Sequence, residues 1–185
     1  MLLRPISQRD RDVWRRVRAA NLAWLGRWDA TAPSRSQAQP RSFTSMVRSM
    51  RREARAGRQL PFVVEHDGRF VGQLTVSNVV RGSAQYASIG YWIDESHAGR
   101  GIITRAVAMA IDHCFGSVGL HRIEVAIRPE NTSSLRVVEK LGIKEIGYAP
   151  RYLHIDGDWR DHLVFALNSE EVPEGLLRRW DVGRN

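Results

Sequence analysis

The strongest constraint on this sequence is a pair of glycines placed between a strand pattern and a helical pattern. Tyr86 to Ile93 is rich in β-branched and aromatic residues, which predicts a β-strand. Ile102 to Phe115 carries apolar residues at helical spacing, and Gly99 and Gly101 stand just before it. A helix that begins after glycines exposes free N–H groups at the positive end of its dipole. The junction predicts a mixed α/β fold with a turn suited to phosphate, although a tight turn without a ligand needs the same glycines.

Periodicity elsewhere predicts elements in the order α-α-β-β-β-α-β-α-β-β. The first helix is expected over residues 7–25, and the second begins at a Ser42 cap and ends at Gly57. A connection rich in Pro, Ser and Thr joins them over residues 29–39. The other predicted elements are strands 61–65, 70–77 and 122–128, a helix over 132–141, and hairpin strands 145–155 and 159–167 around an Asp-Gly-Asp turn.

Length and composition exclude several classes of protein. With 185 residues, the chain is long enough for one domain with a sizeable core, and we expect a single domain over residues 1–185. Within it, residues 169–185 are predicted to be a polar C-terminal tail with a short helical piece at 176–180. No apolar run approaches the roughly 20 residues that span a bilayer, and the charged start lacks a secretory signal, so we expect a cytoplasmic protein without membrane contact.

Cysteine and histidine usage argues against structural metal or disulfides. Cys114 is the only cysteine, which excludes an internal disulfide and a Cys-rich zinc site. The six histidines are scattered along the chain, so no metal site is expected. The reducing interior of a cell suits such a chain.

The net charge of +8 comes almost entirely from arginine, since Lys140 and Lys144 are the only lysines. Five of the arginines, between Arg48 and Arg58, surround the second predicted helix. The charge favours attraction to anions such as phosphorylated cofactors, acidic proteins or RNA. Genome base composition produces the same arginine bias, so the charge alone does not select a partner.

The glycine junction resembles the cofactor motif of the GNAT acetyltransferase superfamily, Gln/Arg-x-x-Gly-x-Gly/Ala. The matching residues run from Ala98 to Ile103, with Ala98 in place of Gln/Arg and Ile103 in place of the last Gly/Ala. The flanking sequence Tyr-Trp-Ile-Asp-Glu-Ser-His and the block Arg128 to Ile143 are similar to the RimJ/RimL branch, the ribosomal-protein N-terminal acetyltransferases. Trp159 to His162 fits the same branch, so the resemblance covers about residues 60–167.

This resemblance implies a GNAT fold: a central, mostly antiparallel twisted sheet with a splayed strand pair, flanked by helices. The strand ending near Ile93 would diverge from its neighbour and admit the pantetheine arm of acetyl-CoA. The Ile93 N–H would then stabilise the oxyanion of the thioester, and Asn131 would bind a pantetheine amide or act as an ordinary helix cap. The pyrophosphate would lie on the N–H groups of Gly99, Arg100, Gly101, Ile102, Ile103 and Thr104. The side chains of Arg100 and Arg105 either add positive charge there or face solvent.

Ser134 is the implied partner of the departing thiolate. Many superfamily members carry a tyrosine in the place of Val138, which cannot donate a proton. Ser134 lies one helical turn away and would hydrogen-bond the sulfur, although a surface serine fits the same position. For the general base the sequence offers only scattered candidates, which are Glu124, Tyr152, His154 and Asp161.

The expected activity is transfer of acetyl from acetyl-CoA to a primary amine by direct attack. The first candidate acceptor is the α-amine of a protein N-terminus, as implied by the ribosomal-protein branch; a polyamine or antibiotic amine is the alternative. A non-enzymatic RNA- or ribosome-binding module is a third hypothesis, but no nucleic-acid motif or aromatic ribbon supports specific nucleic-acid binding. Monomer and homodimer both stay open.

Overall fold

A computed structural model describes residues 1–33 and 42–183 of the chain. Its seven β-strands are β1 (Leu2–Pro5), β2 (Leu60–His66), β3 (Arg69–Val80), β4 (Tyr86–Ile93), β5 (Arg122–Ile127), β6 (Lys144–Ile155) and β7 (Asp158–Asn168). Its α-helices are α1 (Arg11–Ala20), α2 (Leu22–Leu25), α3 (Phe43–Arg55), α4 (Ile102–Gly116), α5 (Thr132–Leu141) and α6 (Leu176–Val182). The predicted connection over 29–39 lies outside the described residues from position 34 onward.

The strands form one sheet in the order β1-β2-β3-β4-β5-β7-β6. All neighbouring pairs are antiparallel except β4 and β5, which are parallel and joined through α4. Their ladder pairs Tyr86–Ser88 with Arg122–Glu124, whereas β4 continues to Ile93 and β5 to Ile127. The two strands therefore diverge towards their C-terminal ends, and the predicted mixed sheet with a splayed pair is confirmed.

Helices cover both faces of the sheet. Since consecutive residues of a strand point to opposite faces, neighbouring residues can pack against different helices. Val63 and Val64 are neighbours on β2, and both are fully buried. Val64 belongs to the large core that includes α4 and α5, whereas Val63 packs with Phe43 and Val47 of α3. The sheet is thus held from two sides, which fixes where the splayed ends of β4 and β5 lie.

The first predicted helix is interrupted. Instead of one helix over 7–25, a short 3-10 turn, α1 and α2 follow one another, with the break at Asn21. The Asn21 side chain is buried and donates to the Val17 carbonyl and to the Asp94 carboxylate, at 2.9 and 2.8 Å. Its oxygen accepts the Glu95 N–H at 2.8 Å. Since the bonds to Asp94 and Glu95 join parts of the chain that are distant in sequence, helical spacing alone did not reveal the break.

Both chain ends are more structured than expected. β1 is an additional edge strand that the sequence analysis missed, since Leu2–Pro5 is short and contains a proline. The region predicted to be a polar tail packs onto the core through Val172 and Leu176, and the helical piece expected there is confirmed as α6. The Asp112 carboxylate accepts the N–H groups of Leu176 and Leu177 at 2.6 and 3.0 Å and so holds α6 against α4. No helix in the described ranges is long and apolar enough to cross a membrane.

Candidate active site

A cleft of about 470 Å³ opens where β4 and β5 diverge. It is lined by the glycine turn, which we define as residues 99–104, and by residues 24–30, which we call the tryptophan wall. The end of β4 and the start of α5 also line it. Of the predicted site residues, the cleft is lined by Ile93, Gly99, Gly101, Ile102, Ile103, Thr104, Asn131 and Ser134. Arg100 is exposed and does not line it.

The end of β4 presents a backbone N–H to the cleft. Ile93 is opposite Gly72 of β3, and the adjacent Asp94 N–H donates to the Val71 carbonyl at 2.8 Å. In an antiparallel ladder this makes Ile93 and Gly72 a non-hydrogen-bonded pair, so the N–H of Ile93 points away from β3. The N–H therefore points to the edge of β4 that pairs with β5 at Tyr86–Ser88 and is no longer paired with it at Ile93. The predicted oxyanion donor thus faces the cleft.

Gly72 permits the close approach of the two strands at this point. A Cβ at Gly72 would lie 2.4 Å from the Trp92 carbonyl oxygen, a contact that no side chain tolerates. Because Gly72 has no Cβ, the end of β4 can lie this close to β3, with the Ile93 amide directed away from that strand.

The glycine turn has the backbone geometry that its sequence predicted. Gly99 and Gly101 have φ angles of 76° and 78°, in the left-handed region that glycine adopts without strain. Because α4 begins at Ile102, the N–H groups of its first turn have no partner within the helix. A Cβ at Gly99 would meet no atom within 4 Å, so the turn faces open space. Arg105 points elsewhere and pairs with Asp181 at 2.6 Å.

The start of α5 brings Asn131 and Ser134 to the cleft. Asn131 is the N-cap of α5, and its side-chain oxygen accepts the Ser134 N–H at 3.1 Å. Ser134 is half-buried, and Val138, one turn further on, is buried in the core. The cap fixes the first turn of α5, so the Ser134 side chain is held at the cleft.

Tyr91 of β4 adds a hydroxyl that the sequence analysis did not single out. Its oxygen is buried and has no hydrogen-bond partner among the described residues. Burial raises the pKa of Tyr91 to about 12, and the nearby Ser134 side chain partly offsets that rise. The Ser134 side chain is therefore near the Tyr91 hydroxyl, although no hydrogen bond of ordinary geometry joins them.

The tryptophan wall is bonded to the end of β4 and to the chain that follows β5. The indole N–H of Trp24 donates to the Ile93 carbonyl at 3.2 Å, which links the wall to the end of β4. Two guanidinium groups contact the ring of Trp28, with Arg27 at 4.8 Å and Arg128 at 5.2 Å from its centre. Arg128 also donates to the Arg27 carbonyl at 2.9 Å, so the β5–α5 connection and the wall are joined directly.

Comparison with known proteins identifies this arrangement. Residues 1–144 match the family model described as the acetyltransferase (GNAT) domain. The chain belongs to the GNAT acetyltransferase family. The prediction from its glycine motif is confirmed, and this GNAT protein is an N-acetyltransferase that takes its acetyl group from acetyl-CoA.

Three relatives show how the GNAT domain of this chain compares along its length. The structure of Mycobacterium smegmatis RimJ in complex with CoA-disulfide is 45% identical, covers 98% of this chain and 88% of that one, and has a TM-score of 0.92. The ribosomal protein uS5-alanine N-acetyltransferase of Escherichia coli (strain K12) is 31% identical over 170 residues, 90% of this chain and 87% of its own. The probable N-acetyltransferase YjcK of Bacillus subtilis (strain 168) is 42% identical over 101 residues, which are 55% of this chain and 56% of that protein.

The structure of this GNAT domain places the four base candidates outside the cleft lining. Glu124 pairs with Arg122 at 2.8 Å, and Asp161 accepts the Arg151 N–H at 2.8 Å. His154 contacts Thr31, with 2.7 Å between His154 Nδ1 and Thr31 Oγ1. Tyr152 packs on His162, with 5.6 Å between the two ring centres. Apart from Arg27 and Arg136, the titratable side chains that do line the cleft were all missed by the sequence analysis; they are Asp29, Tyr91, His97, Glu130 and Lys140.

His97 lines the cleft next to the glycine turn. His97 is held by Asp94, with 2.9 Å between Nδ1 and the carboxylate. Partial burial alone would raise the pKa of the Asp94 carboxyl group. Hydrogen bonds from Ser96, Asn21 and His97 outweigh that effect and hold this pKa below its usual value. No group of three or more His, Cys, Asp or Glu side chains suited to a metal occurs in the described part of the chain.

Proposed function

We propose that this chain acetylates the α-amino group of a protein N-terminus, and that its acceptor is a ribosomal protein. The observation that carries the proposal is the continuity of the cleft, which joins the glycine turn, the Ile93 N–H and the tryptophan wall. The E. coli relative that acts on ribosomal protein uS5 aligns over 90% of this chain, including the residues that line the cleft. A ribosomal acceptor would place the reaction in the cytoplasm.

The site residues divide between binding and chemistry. The N–H groups of residues 99–104 hold the pyrophosphate of acetyl-CoA at the start of α4. Asn131 and the free edge of β4 bind the pantetheine arm. The Ile93 N–H then faces the thioester carbonyl and stabilises the negative charge that develops on its oxygen.

The reaction moves one proton from nitrogen to sulfur overall. A neutral amine attacks the carbonyl carbon, the carbon–sulfur bond breaks, and the amide nitrogen loses the proton that the thiolate finally gains. An α-amine has a pKa of about 7.7–8.0, against about 10.4 for lysine, so a sizeable fraction is already neutral near pH 7. A strong base at the cleft is therefore not required. Ser134 donates a hydrogen bond to the leaving sulfur.

The charges of the cleft favour a peptide over a polyamine. A polyamine carries several positive charges and needs unpaired carboxylates. The two carboxylates that line the cleft are already paired, Asp29 with Arg18 and Glu130 with Arg128. The arginines of α3 do not line the cleft.

The test is an acceptor panel. Purified protein is incubated with acetyl-CoA and ribosomal N-terminal peptides, the same peptides with a blocked N-terminus, spermidine and an aminoglycoside, and free thiol is measured. We expect thiol release with the free peptides alone. Turnover of spermidine with no activity on any peptide would overturn the proposal in favour of a small amine. Equal activity on the blocked peptides would move the acceptor to lysine.

A further inference from the structure

The unpartnered hydroxyl of Tyr91 has a place in the reaction. β4 points alternate side chains to opposite faces of the sheet, and Ile89, Tyr91 and Ile93 share the face covered by α4 and α5. The phenol of Tyr91 therefore extends from the strand towards the first turn of α5. At that turn the chain carries Ser134, the group assigned above to the leaving sulfur.

A buried hydroxyl without a partner is an unusual feature of a folded protein. Leaving such a group unsatisfied costs about 1–3 kcal/mol, and most buried polar atoms are hydrogen-bonded. Phenylalanine would fill the same volume without that cost. Because the Tyr91 hydroxyl lies beside the cleft and next to Ser134, its partner is expected among groups that become ordered when substrate enters.

We propose that Tyr91 is a positioning residue for Ser134, its hydroxyl donating a hydrogen bond to Ser134 Oγ in the loaded cleft. A serine hydroxyl has one hydrogen to donate and can accept from a second donor. When Tyr91 occupies the accepting side of Ser134, the single Ser134 hydrogen is directed to the sulfur. This inference rests on the proposed role of Ser134 and applies to whichever amine the enzyme acetylates.

Tyr91 keeps its proton throughout this scheme. The raised pKa of about 12 leaves the phenol protonated at any pH at which the protein works, so it is a donor and not a base. The proton lost by nitrogen and gained by sulfur does not pass through Tyr91. Its contribution is the orientation and polarisation of one hydroxyl, which strengthens as charge develops on the sulfur.

The decisive variant is Tyr91→Phe, which removes the hydroxyl and little else. We expect kcat to fall roughly 3- to 30-fold, the range that pairwise coupling in a hydrogen-bond network produces. The Kd of acetyl-CoA should stay within about twofold. The melting temperature of the free protein should be unchanged or higher, because the variant loses only an unsatisfied polar group. Tyr86→Phe, at the other end of β4 and outside the cleft lining, is the control and should keep the wild-type kcat.

A double variant separates action through Ser134 from an independent role. If Tyr91 acts through Ser134, adding Tyr91→Phe to Ser134→Ala should lower kcat no further. Full additivity of the two effects would overturn the inference, as would a wild-type kcat in Tyr91→Phe. A fall in melting temperature together with weaker acetyl-CoA binding would make Tyr91 a structural or cofactor-binding residue instead.

The assay keeps this inference distinct from the choice of acceptor. Rates are measured with the best amine that wild-type protein uses, whether peptide or polyamine, so a wrong acceptor leaves the Tyr91 comparison intact. Slow hydrolysis of acetyl-CoA without acceptor, in which water replaces the amine and the same sulfur departs, is the second readout.

Discussion

The two sides of the cleft are built in different ways. The side that we assign to the cofactor consists mainly of backbone N–H groups from one short stretch, the end of β4 and the glycine turn, together with the Asn131 side chain. The side that we assign to the acceptor is lined by side chains that tertiary packing holds in place, such as Trp28, which Arg128 of the β5–α5 connection contacts from outside the lining. The first side depends on the path of the main chain and the second on tertiary packing. Changes on one side should therefore leave the other nearly intact.

The largest effect is expected from Gly101→Val on the cofactor side. A ligand at a hundredfold excess over its Kd stabilises the native state by about 2.7 kcal/mol, which raises Tm by roughly 5–10 °C in a domain of this size. A valine side chain at Gly101 would block the approach of the pyrophosphate to the backbone. We expect the Tm shift with acetyl-CoA, measured by thermal unfolding, to disappear.

The control for this variant is Gly157→Val. Gly157 has a φ angle of 77°, against 78° for Gly101, so valine is equally strained at both positions. It lies in the β6–β7 turn, away from the cleft lining. An equal loss of the shift in both variants would mean that general destabilisation, not the phosphate contact, explains the result.

The second prediction concerns Ser134, at the boundary of the two sides. Ser134→Ala should lower kcat by about tenfold to a hundredfold, at or below the lower limit of the ~10²–10⁴-fold typical of a proton donor, because a CoA thiolate is already a fair leaving group. The Asn131 cap binds the backbone N–H of Ser134, so α5 keeps its cap in the variant. Steady-state rates and calorimetric binding of acetyl-CoA decide the matter. A large loss of affinity with little change in kcat would turn Ser134 into a binding residue.

The third prediction tests the acceptor side through Trp28→Ala. The variant loses two cation–π contacts, each of roughly 0.5–1 kcal/mol, and with them the order of the wall. We expect KM for the acceptor to rise by roughly tenfold, while the Tm shift with acetyl-CoA stays as in the wild type. The opposite pattern, a lost shift with an unchanged KM, would show that the two sides are not separable.

The smallest effect is expected where the two sides are tied together. The Asp94 carboxylate, at the end of β4, accepts a hydrogen bond from Asn21, which precedes the wall. Because the pKa of Asp94 is lowered in the folded state, its carboxylate stabilises the fold above the unfolded pKa of about 3.9. That contribution is lost as the pH falls through the folded pKa.

This linkage is measured as Tm against pH for wild type and Asp94→Asn. We expect the wild type to be more stable by roughly 2–4 °C at pH 7, and the difference to close as the pH approaches 3. A constant difference over this range would contradict a role for the ionised carboxylate.

The sequence predicted the elements whose signals are local. The bounds of β4 and α5 agree with the expectation, and α4 extends one residue further. The break at Asn21 and the strand β1 were missed because both depend on partners distant in sequence, Asp94 for the first and β2 for the second. Charge was a poor guide to the site, since Arg100 is exposed and Arg105 pairs with Asp181.

By itself, the sequence determined the glycine turn. A left-handed backbone at the start of a helix favours glycine, so Gly99 and Gly101 mark this turn in the residues themselves. Only the tertiary structure decided how the tryptophan wall is held and what surrounds Tyr91. The reason is physical: a backbone N–H is present at any such turn, whereas the burial, pairing and direction of a side chain are set by neighbours that the sequence places far away.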